Sequence, residues 1–376
     1  MDTIDLFSGC GGMSLGFQVA GFNILAAVEN WGPARKVYED NFSHPVYDID
    51  LNNVDEAIHK LSIYSPAIII GGPPCQDFSM AGVRIEGARA LLTYNFAKII
   101  SELKPKWFVF ENVPGAKKSK TWENSKKILE RTGYGITEII LNSAFYGVPQ
   151  NRKRFFAIGR LGEIDDFLKN DLEASASSKK ITLREYAGDK FDIEFYYRHP
   201  RNWGRKGIFS LDEPAPTVRA TVRDIPPGYT AHLEDAGPIS EARALNIRER
   251  ALVQTFPDTF TFSGSRTAQN TMIANAVPIE LANHIAKCVI NHEIKLKHEK
   301  FDLFRYWLAK NYNYKEKTIS SIIYRISQIK NTSTEISIEE RIKKLKDDQS
   351  FKKLSPNDKS KITKALKHKL NFEMSI

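Results

Sequence analysis

The chain has 376 residues, 42% of them hydrophobic, enough to bury a sizeable core and, by length, to form two or three domains. No stretch approaches the ~18 consecutive apolar residues of a membrane span, and "MDTIDLFSG" lacks the basic-then-apolar layout of a secretory leader, so a cytoplasmic globular protein with no membrane partner is expected. The formal net charge of +9 is carried by residues 300–376, which hold 18 Lys/Arg against 9 Asp/Glu; that basic segment suits an electrostatic contact to a polyanion or, equally, a solvated Lys-rich helical face.

In chain order, "TIDLF" (3–7), "NILAAVE" (23–29), "PAIIIGG" (66–72), "KWFVFENV" (106–113) and "RFFAIGR" (154–160) are short apolar runs stopped by Gly, Pro or polar residues. That is how buried parallel strands read. Between them, "LTYNFAKIISELK" (92–104) and "WENSKKILERTG" (122–133) carry helical character, and the alternation predicts an open α/β sheet with helices on both faces. From 161 to 267 the pattern gives way to Gly, Pro, Arg and aromatic residues, which predicts a separate irregular or β-rich module. "AVPIELANHIAKCVINHE" (276–293) returns to a helical period. In the tail, Phe301, Phe304, Trp307 and Leu308, then Ile319, Ile322, Ile323, Ile326 and Ile329, recur at helix spacing; Ser337 with Glu340, and Ser355 before Pro356, mark further helix starts. The expected division is therefore 1–160 plus 268–299 as a ligand-binding domain, 161–267 as a second domain, and 300–376 as a basic helical extension.

"DLFSGCGGMSLGF" (5–17) follows the first strand and opens a helix. Glycines there permit positive φ and let a ligand lie against bare peptide N–H groups at the carboxyl edge of the sheet. Glu29 ends the second strand about 18 residues after Gly11, the spacing at which a carboxylate accepts hydrogen bonds from a ribose diol. The glycine spacing is G-x-G-G, not the dinucleotide pattern, and no phosphate cradle with its Lys follows the third strand. A nucleoside without a pyrophosphate fits better.

Cys10, Cys75 and Cys288 are too few and too scattered for a disulfide framework, and no Cys/His spacing suits zinc, so no metal is expected. Cys75 emerges after "IIIGGPP", where Pro73 and Pro74 stiffen the backbone; a thiol so held can be aimed, while a small buried hydrophobe is the alternative. Glu111 follows four apolar or aromatic residues, where a carboxylate is expensive to bury without a role or a partner. In "YGVPQNRKRFFAIG" (146–159), Arg152 and Arg154 alternate into a strand start and are expected to share one face.

In order and wording these motifs resemble the cytosine-5 DNA methyltransferases over roughly residues 1–293: "DLFSGCGG", "GGPPCQDFS", "FENV", "QNRKR" and "IANAVP" (273–278), with "DEPAPTVRAT" in the middle module. The resemblance implies a Rossmann-like S-adenosylmethionine-dependent methyltransferase sheet, 161–267 as a target-recognition domain, and a helical C-terminal extension. It implies Cys75 as the nucleophile adding to cytosine C6, Glu111 as the acid at N3, and Arg154, supported by Arg152, at the O2 edge. For S-adenosylmethionine it implies a pocket of Phe7, Gly9, Gly11, Gly12, Glu29, Asp48, Ile49, Leu92, Asn275, Ala276 and Val277. Two positions depart from the family: Asn30 stands where an aromatic residue often stacks on adenine, and "GARALLTYN" lacks the usual Asp before Arg89, which implies weaker cofactor binding.

The target base must leave the duplex to be reached, so double-stranded DNA is the implied partner, bound by a monomer. Gln76, Ser79, Arg198, Arg201, Thr217, Arg219, Thr221 and Arg223 are the implied DNA contacts. "IRERALVQTFPD" (247–258) resembles the motif that organises the recognition region. The implied setting is restriction–modification, with a cognate endonuclease as a functional partner. A tRNA cytosine-5 methyltransferase and a catalytically silent DNA-binding regulator are the rival readings.

Overall fold

The computed structural model describes residues 1–74, 90–200, 202, 204–312, 315–327 and 356–373. They divide into two compact units, Met1–Val289 and Ile290–Ile376.

The first unit is built on a seven-stranded sheet. Its strands are β1 (Asp2–Leu6), β2 (Asn23–Val28), β3 (Val46–Tyr47), β4 (Ile68–Gly71), β5 (Trp107–Asn112), β6 (Tyr134–Asn142) and, after the two-residue β7 (Gln150–Asn151), β8 (Lys153–Leu161), in the spatial order β3-β2-β1-β4-β5-β8-β6. Strands β1 to β5 pair in parallel, as their continuous apolar runs predict; every residue of β4 and β5 is buried. The run at 154–160 differs from that expectation. It forms β8, which is antiparallel to β5 and to β6. The cause is β6, whose nine residues follow directly on a helix that ends at Thr132; its connection to β8 is too short for a parallel crossover, so the pair closes as an antiparallel ribbon.

Helices α1 (Gly12–Val19), α2 (Gly32–Asn41), α3 (Val54–Leu61), α4 (Ala90–Leu103) and α5 (Lys120–Thr132) connect the strands. The start of α1 has no side-chain cap; Gly11 turns the chain there at φ 94°. Ser119 caps α5 by accepting from Trp122 N, and Gly133 ends it at φ 103°. The main core joins Ile4, Leu6, Val28, Ile69, Phe96, Phe108, Phe110, Trp122 and Phe155, with the Trp122 and Phe110 rings stacked at 4.7 Å.

Beyond β8 come α6 (Lys169–Ala174), α7 (Leu183–Ala187), β9 (Phe195–Tyr197), β10 (Ile208–Ser210), β11 (Ala215–Pro216), β12 (Ala242–Ala244), α8 (Ile247–Val253) and α9 (Arg266–Asn275). The strands are short: β9 pairs antiparallel with β10 and parallel with β12, while β11 pairs with β7. This stretch shares a second core with the first sheet's surroundings, since Phe209, Leu211, Val218, Val253 and Phe256 cluster with Cys10, Val37 and Met272.

Helix α10 (Ile279–Tyr312) enters the second unit, which also contains α11 (Glu316–Ser327) and α12 (Pro356–Glu373). Phe304, Leu308, Ile319, Ile322, Ala365 and Phe372 form its small core, with Phe301, Trp307 and Ile323 against it, so these periodic apolar residues of the tail meet one another; the Ile326 side chain and Ile329 lie outside the description. The expected helix start at Ser337 lies outside the described residues, as does Ser355, while Pro356 begins α12. Among the described residues no helix is long and apolar enough to cross a membrane.

Candidate active site

A cavity of about 520 Å³ opens at the carboxyl edge of the sheet, a volume in the range of small-molecule sites. One wall is the turn after β1, with Asp5, Phe7, Ser8, Gly9 and Gly12; another is Glu29, Asn30 and Trp31 after β2, with Ile49, Asp50 and Leu51; Pro73 and Pro74, Leu92, Glu111 to Val113, Arg154, and Asn275 to Val277 complete it. Nine of the residues expected at a nucleoside cofactor are thus gathered with two expected at the reacting base.

The glycines divide the work. Gly9 adopts φ 56° and its N–H donates to Glu29 Oε2 at 2.8 Å, while Trp31 N–H donates to Oε1 at 2.7 Å, so the Glu29 carboxylate is fixed at the cavity wall from both sides. A Cβ on Gly12 would lie 2.5 Å from the Val277 carbonyl, so only glycine lets α1 approach the 275–277 segment. Gly11 is not on the cavity wall; its missing side chain makes room for Phe42 and Tyr38.

Asp48, expected at adenine, is not on the wall either. Its carboxylate pairs with Arg35 Nη1 at 2.8 Å, and Arg35 also donates to the Glu29 carbonyl at 3.2 Å. Asp50, two residues on, lines the cavity instead, its Oδ1 accepting from Asn52 N at 3.0 Å. Trp31, which the sequence reading passed over, supplies an aromatic face one position after Asn30.

Glu111 sits at the carboxyl end of β5, 7% exposed, with Oε1 2.9 Å from Arg154 Nε. Burial pushes its carboxyl above the ordinary range, and Arg154 followed by Arg152 pulls part of the way back. Asn112 beside it donates from Nδ2 to the Pro73 carbonyl at 3.2 Å, tying the Gly-Gly-Pro-Pro segment to β5. Cys75, Gln76 and Ser79 lie outside the described residues, as does Arg201.

Arg152 and Arg154 were expected on one face, and the structure separates them. Arg154 lines the cavity; Arg152 is fully buried, donating from Nη2 to the Ala274 carbonyl at 2.6 Å and to Ala276 at 3.1 Å. The alternation fails because the strand is interrupted between β7 and β8, at residue 152 itself. Arg152 thereby holds the segment that carries Asn275, Ala276 and Val277. Gln254 reinforces it, donating to the Ile273 and Ala276 carbonyls at 2.6 and 3.1 Å.

The other two cysteines are poor nucleophiles. Cys10 is buried and its thiol is pushed up to about 12; Cys288, also buried, is pushed up to about 11, in both cases chiefly by desolvation. Among the described residues no group of three or more His, Cys, Asp or Glu is placed to hold a metal ion.

The expected DNA contacts among the described residues, Arg198, Thr217, Arg219, Thr221 and Arg223, are not on this cavity's wall. Thr217 donates to the Asn151 carbonyl at 2.7 Å, Arg198 Nη2 donates to the Thr217 carbonyl at 3.0 Å, and Arg219 Nη1 to the His199 carbonyl at 3.2 Å. Thr221 and Arg223 are exposed.

A Rossmann-like sheet with a ligand cavity at its carboxyl edge, a glycine turn, and a buried carboxylate–guanidinium pair on the wall defines a methyltransferase class. The chain belongs to the C-5 cytosine-specific DNA methylases: the model of that family matches residues 1–292, and the enzyme is a DNA cytosine-5 methyltransferase. It is 50% identical over 296 residues to the Type II methyltransferase M.HindV of Haemophilus influenzae, covering 78% of this chain and 97% of that one. To M.HgiDI of Herpetosiphon aurantiacus it is 49% identical over 288 residues, or 76% and 93% of the two chains. Among solved structures, a DNA modification methyltransferase encoded within an Escherichia coli prophage superposes with a TM-score of 0.57 at 24% identity over 77% of this chain and 99% of that one. S. pombe Dnmt2 does so with 0.58 at 17%, over 77% and 98%. At those identities the likeness concerns the fold. The family match ends close to the division between the two units, so the helical tail stands beyond it.

Proposed function

We propose that the chain methylates C5 of one cytosine within a specific duplex sequence, with S-adenosylmethionine as donor, as the modification half of a restriction–modification pair. Residues 161–267 face the DNA in this reading, and the 300–376 extension adds sequence-independent affinity. The protein acts as a cytoplasmic monomer on duplex DNA. The observation that carries the reading is the Glu111–Arg154 pair on the wall of the same cavity that holds Glu29 and the glycine turn.

The cavity's chemistry suits the cofactor. Asp5 Oδ1 and Ser8 Oγ are buried without a hydrogen-bond partner among the described residues, and both residues line the wall, where they would take donors from a cationic ligand. Glu29 is placed for a ribose diol, Trp31 and Asp50 for adenine, and Phe7, Gly9, Gly12, Leu92 and Asn275 to Val277 for the remainder. When bound, S-adenosylmethionine supplies a methyl group on a sulfonium.

The protein's part is to make cytosine C5 nucleophilic. The base swings out of the duplex at a cost of a few kcal/mol and enters beside Glu111 and Arg154. Cys75 thiolate forms a bond to C6 while Glu111, whose carboxyl is raised above its ordinary range by burial, delivers a proton to N3; Arg154 orients O2 and holds Glu111. Addition at C6 shifts the C5=C6 pair to C4=C5 as N3 takes its proton, so C5 becomes an enamine carbon able to accept the methyl group, whose bond to the sulfonium would break to leave a neutral thioether; loss of the C5 proton to a base would then expel the Cys75 thiolate and restore the C5=C6 bond. Arg152 acts at a distance, by fixing the carbonyls of Ala274 and Ala276.

Incubation with methyl-labelled cofactor and duplex DNA, followed by nucleoside analysis, tests the whole. Label in 5-methylcytosine at one sequence context is expected; label in tRNA alone, or in neither, would overturn the reading.

A further inference from the structure

A second cavity, of about 320 Å³, is walled by β9, β11, α8 and the 198–200 and 218–223 segments. Arg198, Arg219, Arg223, Arg250 and His199 line it, together with Tyr196 and Tyr197, and no carboxylate does so among the described residues. Arg250 is the deepest of the arginines, 8% exposed. Its Nη2 donates to the Arg219 carbonyl, and its Nε is buried without a partner among the described residues.

The placement is selective within one helix. Asn246 caps α8 in a box with Glu249, and Glu249 pairs with Arg243 at 2.6 Å. Arg248 turns to the carbonyls of Phe260 and Pro257. Only Arg250 of this trio lines the cavity, and the other charged residues on its described wall are arginines. Burial lowers its guanidinium to about 10, helped by Arg266, and His199 is lowered by burial and then by Arg223 and Arg219. A guanidinium as buried as that of Arg250 is costly to hold beside other cations, and a ligand that brings negative charge lowers the cost.

The acceptor edge of a base is neutral and would leave that charge uncompensated; a phosphodiester carries the charge and matches a guanidinium fork. We propose that this cavity seats one backbone phosphate of the substrate DNA, with Arg250 at its floor. This rests on the reading of 161–267 as the DNA-facing segment. Seating the phosphate fixes register: the Arg219 carbonyl held by Arg250 belongs to a segment whose Val218 N–H donates to Gln150 Oε1 at 2.9 Å, next to the strand that carries Arg154.

The test compares the full-length protein with Arg250→Met, after wild-type methylation of duplex DNA has been measured. Absence of that methylation would sink the DNA-methylation reading itself and this proposal with it. The variant is expected to bind every duplex about tenfold more weakly at low salt, with the slope of log affinity against log salt reduced by about one. Its melting temperature should hold or rise, because an uncompensated buried charge has been removed, and its KM for the cofactor should stay unchanged. In duplexes carrying single neutral methylphosphonates, one position should weaken wild type and leave the variant unaffected. An unchanged salt slope, a lower melting temperature with identical methylphosphonate profiles, or relaxed sequence preference at an unchanged slope would each overturn the proposal.

Discussion

Arg154 Nε lies 2.9 Å from Glu111 Oε1, so the two strands that meet at β5 and β8 present one charge-balanced pair to the cavity. Both side chains are largely buried, which makes the pair sensitive to the protonation of Glu111. With its carboxyl raised above the usual range, chiefly by burial, Glu111 carries a proton into a pH region where an exposed carboxylate has lost it. Glu111→Gln preserves an acceptor for Arg154 and removes the proton source. Single-turnover methylation should fall by about 10²–10⁴, with cofactor KM within about threefold of wild type. The wild-type rate should decline on the alkaline side as Glu111 ionises, and the variant should lack that limb; a variant rate near wild type ends the acid role.

Cys75→Ala should abolish methyl transfer while leaving DNA affinity intact. The two remaining thiols, at Cys10 and Cys288, are buried and too basic to substitute. A duplex with 5-fluorocytosine at the target should trap wild type covalently, since fluorine does not leave as a proton does, and should not trap the variant. Gel electrophoresis under denaturing conditions reads both. Free wild-type protein at a site that is otherwise methylated would refute the covalent step.

The parallel strands were legible because strands buried on both faces read as unbroken apolar runs: Ile68 to Ile70 and Trp107 to Phe110 are all fully buried. β6 escaped notice because it mixes signals, with Ile140 exposed and Glu138 drawn into contacts with Trp122 and Lys126. At the site, residue types were legible and their phase was not. Asp48 and Asp50 are the same residue type two positions apart, and what separates them is tertiary: Arg35, on α2, takes Asp48, while Asp50 lines the cavity. Arg152 looked equivalent to Arg154 until the strand break between them rotated it into the interior. The direction of Arg250 depends on neighbours from four separate segments, which no local pattern encodes.

Trp31 presents to the cavity the aromatic face that Asn30 lacks, and it is 37% exposed. Stacking of a base on an aromatic ring is worth about 1–3 kcal/mol, so Trp31→Ala should raise the cofactor Kd by about tenfold and Trp31→Phe should restore most of it. Asp50→Ala should weaken the cofactor similarly. Asp48→Ala should do so less, acting only through Arg35. Equilibrium dialysis with labelled cofactor ranks the four; equal affinity in Trp31→Ala and wild type would remove the stacking role.

Asp5 is 1% exposed, and its carboxylate begins a chain of hydrogen bonds: Ser14 Oγ donates to Oδ2 at 2.6 Å, Ser14 lies 2.7 Å from Tyr38 OH, and Tyr38 OH lies 2.7 Å from His44 Nε2. Burial raises its pKa to about 7, the Ser14 hydrogen bond opposes this, and Glu29 adds to it. An acid whose folded pKa exceeds its unfolded value of about 3.9 binds more protons when folded. Its contribution to stability is therefore greatest at low pH, falls as pH rises from about 4 to about 7, and is flat above. Asp5→Asn should erase that slope and exceed wild type in stability at pH 8, by on the order of a few kcal/mol, in urea titrations without cofactor. A cationic cofactor group at the buried Oδ1 would reverse the preference and expel the proton. Calorimetry near pH 7 in buffers of different ionisation enthalpy should then register proton release on cofactor binding to wild type and none with Asp5→Asn; equal release from both would place the titrating group elsewhere.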